Sequence, residues 1–367
     1  MFMKVFIIFP KDSEALFNKK STRTFGGASV QLYNIAKELS NYKNIKIYSI
    51  IPDYKQIEFD DYEQFNLIKV YKEGDSNLVK LFKFTKYCIT LKPDIIIQRG
   101  LTTESCILAF FCWVVRIKFI FMFAHDVEVL GLRQSDSSRV WLFGLLLNFA
   151  YKLIVQNIYQ KQVLLEKFKK ESQIFYNSFE IKHQNKKKLN KKKEILWIAR
   201  CDKWKQPELF IDLANRNNKM HFIMICPPNR DLDYYTQIKQ KAMKLSNCEF
   251  IEFVPYERVW EYFQHAYLFV NTSVHEGFPH TFIQAFMCSV PVLSLCVNPD
   301  DILMKYNCGI YCNGDFEFLN LQLNKLLNDR EYYNKLSTNA ANYVQKYHDI
   351  KKNLHKLIYL LNGDIYI

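Results

Sequence analysis

The sequence predicts an α/β protein built from two parallel-sheet domains that face one another across a cleft. Three observations carry this prediction. Apolar runs of strand length alternate with helical patterns through both halves, a polar lysine-rich tract at 181–193 separates them, and 367 residues with 49% hydrophobic content can fill two cores.

In the first half, Val5 to Phe9 reads as the opening strand. Gly26-Gly27-Ala28-Ser29 then leads into an amphipathic helix through Leu39, whose Leu32, Ile35, Ala36 and Leu39 share one face. Further strands are expected at Ile45 to Ile51, Phe65 to Val70, Asp94 to Gln98, Phe119 to Ala124 and Leu153 to Gln156, with helices between most of them. The second half repeats the alternation at Glu194 to Ala199, His221 to Cys226, Cys248 to Phe253, Leu268 to Asn271 and Pro291 to Leu295. From Arg330 the pattern is helical to Leu361. The expected division is a first domain at 1–180, a linker at 181–193, a second domain at 194–347, and a terminal helix and tail at 348–367.

Composition narrows the function classes. The net charge is +13, and residues 1–190 hold 29 lysines and arginines against 18 acidic residues, so +11 of it lies in the first half. A basic half can serve an anionic acceptor or a membrane surface. No nucleic-acid-binding motif accompanies it, and the Lys186–Lys188 and Lys191–Lys193 clusters read as a solvated linker. Ten cysteines form no metal-ligand array, since Cys308 and Cys312 lack a second pair, which fits the buried thiols of a reduced cytoplasmic protein. The N-terminus lacks the pattern of a signal peptide, so export is not expected. The apolar runs Cys106–Val115 and Val140–Ala150 fall short of the roughly 20 residues of a spanning helix and read as core helices of the sheet.

The most informative segment is Glu276-Gly277-Phe278-Pro279-His280-Thr281-Phe282-Ile283-Gln284-Ala285-Phe286. A strand ends, a Gly-Phe-Pro turn follows, and a helix begins near His280, so backbone N–H groups and the positive end of the helix dipole offer a seat for phosphate. Glu276 stands just outside that seat and Gln284 lies along the helix, both able to accept hydrogen bonds from hydroxyls. A ligand with a central diphosphate and hydroxyl-rich rings at both ends, a nucleotide sugar, suits this arrangement.

The segment resembles the retaining glycosyltransferases of family 4, whose hallmark is a Glu, seven residues and a second Glu within E-G-F-x5-E-A. Glu276, Gly277 and Phe278 match it, and Gln284 stands where the second Glu is usual. In such enzymes the second carboxylate holds the ribose hydroxyls; an amide accepts such a bond without charge assistance. The resemblance implies the GT-B fold of two Rossmann-like domains, with the last helix crossing back to the N-terminal domain. It also implies a donor site in the C-terminal domain, an acceptor site in the N-terminal domain, and no metal or other cofactor.

A second match follows the run Ile195–Ala199, where Arg200-Cys201-Asp202-Lys203-Trp204-Lys205 precedes Pro207. The family places an Arg and a Lys at this junction to neutralise the donor diphosphate. Arg200 and Lys205 fit that spacing, and such preorganised cations lower the barrier to losing an anionic leaving group. Read alone, the two are equally a solvated charge pair. Gly26-Gly27 resembles the family's N-terminal glycine pair, which leaves space for donor phosphates or acceptor; read alone, it is a turn. His125 ends the Phe119–Ala124 strand at a position that in the family contacts the reacting sugar, and its other reading is a capping or core-edge histidine. Arg99, after Asp94–Gln98, is a candidate acceptor contact. Asp300 and Asp301 read as caps of the next helix, with a paired-carboxylate metal site as the lesser alternative.

Together these features predict a transferase that moves a sugar from a nucleoside diphosphate sugar of UDP or GDP type to a glycan or lipid-linked acceptor. The work would be done in the cytoplasm or at the inner face of an anionic membrane. A non-catalytic protein of the same fold that binds a sugar nucleotide or glycan is the alternative, motivated by Gln284 and by the missing Gly-Gly near Asn298.

Overall fold

The computed structural model describes residues 2–18, 20–21, 23–55, 65–72, 74–131, 137–181 and 193–362. The lysine-rich linker expected at 181–193 therefore lies outside the described residues except at its two ends, as does the tail beyond residue 362.

The chain forms two units, residues Met1–Glu180 with Asp349–Ile367, and residues Ile181–His348. In the first, β1 (Met3–Ile8), β2 (Ile45–Asp53), β3 (Leu67–Lys72), β4 (Ile95–Arg99), β5 (Lys118–Met122), β6 (Lys152–Val155) and β7 (Gln173–Ile174) form one sheet in the order β3-β2-β1-β4-β5-β6-β7. Every pairing in it is parallel. A parallel sheet buries both faces beneath crossover helices, so its strands read as unbroken apolar runs. Ile95, Ile96 and Ile97 show this, with at most 1% exposure each.

The helix Gly27–Leu39 buries Leu32, Ile35, Ala36 and Leu39 as its spacing predicts. The last helix, Ile350–Asn362, belongs to this first unit and packs against it. It is held at its start by Asn353 Nδ2 donating to Ser178 Oγ (2.8 Å) and by the Ile350 N–H donating to the Phe179 carbonyl (2.9 Å).

The second unit contains β8 (Glu194–Ile198), β9 (His221–Ile225), β10 (Cys248–Ile251), β11 (Ala266–Asn271), β12 (Val292–Ser294) and β13 (Gly309–Tyr311), in the order β10-β9-β8-β11-β12-β13. These pairings are also all parallel. Each unit is thus a doubly wound α/β domain.

Strand order fixes where ligands can bind. From β8 the chain winds outward through β9 and β10, then returns to β11 on the other side of β8. The carboxyl ends of β8 and β11 flank a topological switch point, the place where open α/β sheets bind ligands, and the ends of β1 and β4 do the same in the first unit.

The Asp300–Asp301 expectation is corrected. Both residues take left-handed backbone angles (φ 49° and 56°), and Asp301, the N-cap of the helix that follows, makes no side-chain cap bond. Asn298 Oδ1 accepts from the Leu303 N–H instead (3.0 Å). Among the described residues no group of three or more His, Cys, Asp or Glu could hold a metal ion, and all ten cysteines are free thiols.

Candidate active site

The switch point of the second unit is built by two loops. After β8, a tight turn at Lys203–Lys205 is followed by Gln206 in the left-handed region (φ 49°) and by Pro207 at the first position of the helix Pro207–Arg216. Proline suits that position because its missing N–H would have no intrahelical partner there. The loop after β11 runs from Thr272 to Pro279, and its helix, His280–Met287, starts at His280 as its sequence predicts. The N-cap is Pro279, which supplies no side-chain cap. The arrangement therefore keeps the chemistry of an anion seat.

Lys205 and Glu276 come together. Lys205 Nζ donates to Glu276 Oε1 in an ion pair whose side chains are 15% and 10% exposed. Glu276 Oε1 also accepts from Ser273 Oγ (2.9 Å), which in turn accepts from Asn271 Nδ2 (3.2 Å). The two loops are laced at the backbone. Buried Thr272 donates its hydroxyl to the Lys205 carbonyl (2.7 Å) and accepts from Trp197 Nε1 (2.9 Å), and the Val274 N–H donates to the Trp204 carbonyl (2.9 Å). The Trp204 ring stacks on His275 at 5.1 Å, and the Lys205 ammonium lies 3.9 Å from the Trp204 centroid. A lysine held by a carboxylate, an aromatic face and a fixed turn is preorganised for an anion.

The remaining predicted residues fall around this pair. Arg200 follows β8 by two positions and is partly buried, and Gly277, His280 and Thr281 lie at the turn and first helical positions. Gln284 is buried on the same helix. Phe278 is 4% exposed and packs its ring 4.8 Å from that of His348, so its side chain anchors the turn in the domain interior.

In the first unit the candidates share the carboxyl edge of neighbouring strands. Gly26 is the N-cap of the helix Gly27–Leu39, and a Cβ there would stand 2.8 Å from Asp12 Oδ2. Asp12 Oδ1 accepts from Ser29 Oγ (2.5 Å), so the glycine pair carries a carboxylate beneath it. His125 is exposed just beyond β5.

Arg99 ends β4 but turns inward and is 4% exposed. Its Nη2 donates to Gln156 Oε1 (3.1 Å) and Asn177 Oδ1 (2.8 Å), and Gln156 Nε2 donates to the Ala124 carbonyl (2.5 Å). Burial pulls its guanidinium down to about 10, with Glu128 opposing. The acceptor contact expected of Arg99 thus gives way to an interior role behind the His125 loop.

Ser273, Thr272, Trp204 and Asp12 were not singled out in the sequence. Ser273 carried no readable signal, since its bond to Glu276 lies in a loop before the helix that starts at His280. Asp12 and Thr272 act only through tertiary contacts.

Residues 178–343, which nearly coincide with the second unit, match the family model described as glycosyl transferases group 1. Among curated proteins the chain is 22% identical over 184 residues to glycosyltransferase 1 domain-containing protein 1 of Xenopus tropicalis. That match takes in 48% of this chain and 50% of the relative, so the chain spans about half the length of the curated relative. Among solved structures it resembles sucrose-phosphate synthase from Thermosynechococcus elongatus, with a TM-score of 0.78 at 13% identity over 98% of both chains. It also resembles S. aureus TarM crystallised with fondaparinux, alpha-GlcNAc-glycerol and UDP, with a TM-score of 0.64 at 18% identity over 77% of this chain and 59% of TarM. At these identities the likeness shows a shared GT-B fold.

Proposed function

We propose that the protein is a retaining, metal-independent glycosyltransferase that moves a sugar from a nucleoside diphosphate sugar of UDP or GDP type to a glycan or lipid-linked acceptor. The observation that carries this reading is the part-buried Lys205–Glu276 pair at the switch point, just before a helix whose N-cap Pro279 supplies no side-chain cap, in the unit that matches the glycosyl transferases group 1 model. Arg200, Lys205 and the backbone at Gly277, His280 and Thr281 hold the diphosphate. Glu276 contacts donor-sugar hydroxyls, and Gln284 the ribose. In transfer, the bond from the anomeric carbon to the diphosphate breaks, the acceptor oxygen bonds that carbon on the same face, and a donor phosphate oxygen takes the acceptor proton.

The first domain binds acceptor through His125 and the backbone of the Gly26-Gly27 turn. A glycan acceptor has a precedent in the glycan-type ligands and UDP crystallised with TarM. The basic first half fits peripheral association with the anionic inner face of a membrane, as surface polysaccharide or glycolipid synthesis requires.

The test is release of nucleoside diphosphate from a panel of UDP- and GDP-sugars in the presence of glycan and lipid acceptors. Turnover of one sugar nucleotide, lost in Glu276→Ala, is expected. Binding of a sugar nucleotide with no turnover on any acceptor would favour a binding protein of the same fold.

A further inference from the structure

The apolar runs at 106–115 and 140–150 form the helices Thr103–Val114 and Ser137–Phe149, which pack against each other over the first sheet. Their inner faces fill the core through Cys106, Ala109, Cys112 and Leu146. Their outer faces are also apolar, which a core helix beside water does not require. Trp113 and Val114 are 57% and 56% exposed and Trp141 is 65% exposed. Phe110, Trp113 and Phe149 form one ring cluster, with centroids 4.7 to 6.0 Å apart.

Past the ends of the two helices the chain places Arg116, then Lys118 at the start of β5, and Tyr151, then Lys152 at the start of β6, with the two lysine ammonium groups 5.0 and 5.5 Å from the Tyr151 ring. No acidic residue occurs from Ser105 to His125 or from Ser137 to Leu165.

We infer that this outer face is the surface by which the protein docks on an anionic lipid bilayer. Tryptophan and tyrosine prefer the boundary between headgroups and acyl chains, lysine and arginine reach back to anionic headgroups, and aliphatic side chains between them enter the apolar layer. The net charge selects this occupant. A second copy meeting the same face about a two-fold axis would bring the Arg116, Lys118 and Lys152 charges of both copies into one interface with no acidic residue from these segments to offset them, whereas an anionic surface complements them. No helix among the described residues is long and apolar enough to cross a membrane, so the contact is interfacial. The inference gives the peripheral association proposed above a definite surface and rests on neither the donor site nor the transfer reaction.

The test is flotation of the full chain with vesicles of phosphatidylcholine, alone or mixed with phosphatidylglycerol, for the wild type, Trp113→Ser/Val114→Ser and Trp141→Ser. Thermal unfolding of each variant serves as the control for folding. The wild type should bind the mixed vesicles and release as salt rises, and the double variant should bind about tenfold or more weakly with unchanged unfolding, because both side chains are over half exposed. Equal binding by wild type and variants would overturn the assignment of this surface while leaving membrane association intact. A wild type that ignores mixed vesicles would overturn both. A dimer in light scattering that the double variant dissociates, with no lipid binding, would assign the face to a second copy instead. A nucleotide-induced thermal shift in the double variant equal to that of the wild type keeps these outcomes separate from the donor site.

Discussion

Lys205 and Glu276, from loops that follow two adjacent strands, form a part-buried ion pair. A pair so placed gives each partner a dependence on the other. Removing one side leaves the other charge without its partner, at a cost below the about 3–5 kcal/mol of a fully buried pair because solvent still reaches both side chains. Glu276→Ala should therefore destabilise the second domain while leaving the Lys205 charge available to an anion. The expected outcome is a protein that loses turnover by about a hundredfold or more yet binds nucleoside diphosphate at least as tightly as the wild type. Calorimetric titration beside a turnover assay checks this; parallel loss of both would place Glu276 on the nucleotide rather than on the sugar.

Thr272 links Trp197 to the Lys205 turn. Thr272→Val keeps the shape but leaves the buried indole N–H and the Lys205 carbonyl without this hydroxyl, at a cost of about 1–3 kcal/mol. Chemical denaturation should show that loss, and Thr272→Ser should recover most of it. Wild-type stability in Thr272→Val would mean that water replaces the hydroxyl there.

Gln284 is the position where the sequence departs from its family. If it faces the ribose, Gln284→Glu should tighten nucleoside diphosphate binding by about three- to tenfold, through a charge-assisted bond. The same variant should leave the affinity for inorganic diphosphate unchanged. Equal effects on both ligands would remove the ribose role.

Glu128 sits behind the His125 loop, where its Oε2 accepts from the Ala124 N–H (2.7 Å). Burial pushes its carboxyl above the ordinary value of 4.5, against the pull of backbone donors and Arg99. A carboxyl with a raised folded value binds more protons folded than unfolded. The stability it contributes is thus fully present below 4.5 and is lost as pH rises through the folded value. Denaturation across a pH series should show this decline in the wild type and not in Glu128→Gln. Superimposable profiles would show that Glu128 does not titrate within the fold.

Most of the architecture was legible because parallel strands announce themselves as apolar runs between helical patterns. The runs at Glu194–Ala199 and His221–Cys226 lie within a residue of β8 and β9. What escaped was short or tertiary. β13 is three residues long, and its glycine is demanded by a neighbour, since a Cβ at Gly309 would stand 2.4 Å from the Val292 carbonyl oxygen. Arg99 could be placed at a strand end but not turned inward, because its partners Gln156 and Asn177 lie 57 and 78 residues away along the chain. Asp300 and Asp301 have the composition of helix caps, yet Asp301, the N-cap in the structure, accepts from Asn298 Nδ2 instead of capping the helix. The pairing of Lys205 with Glu276 joins two motifs that local pattern treats separately, and only the strand order makes them neighbours.

The proposed diphosphate site at the switch point of the second domain rests on Lys205 and Arg200. The most direct measurement is a thermal-shift panel of nucleoside diphosphates and their sugars, with chelator present, on the wild type, Lys205→Ala and Arg200→Ala. One nucleotide series should stabilise the wild type, by about 2.7 kcal/mol at 100 times its dissociation constant, and either substitution should abolish most of that gain. Stabilisation by no nucleotide, or stabilisation that survives both substitutions, would contradict it.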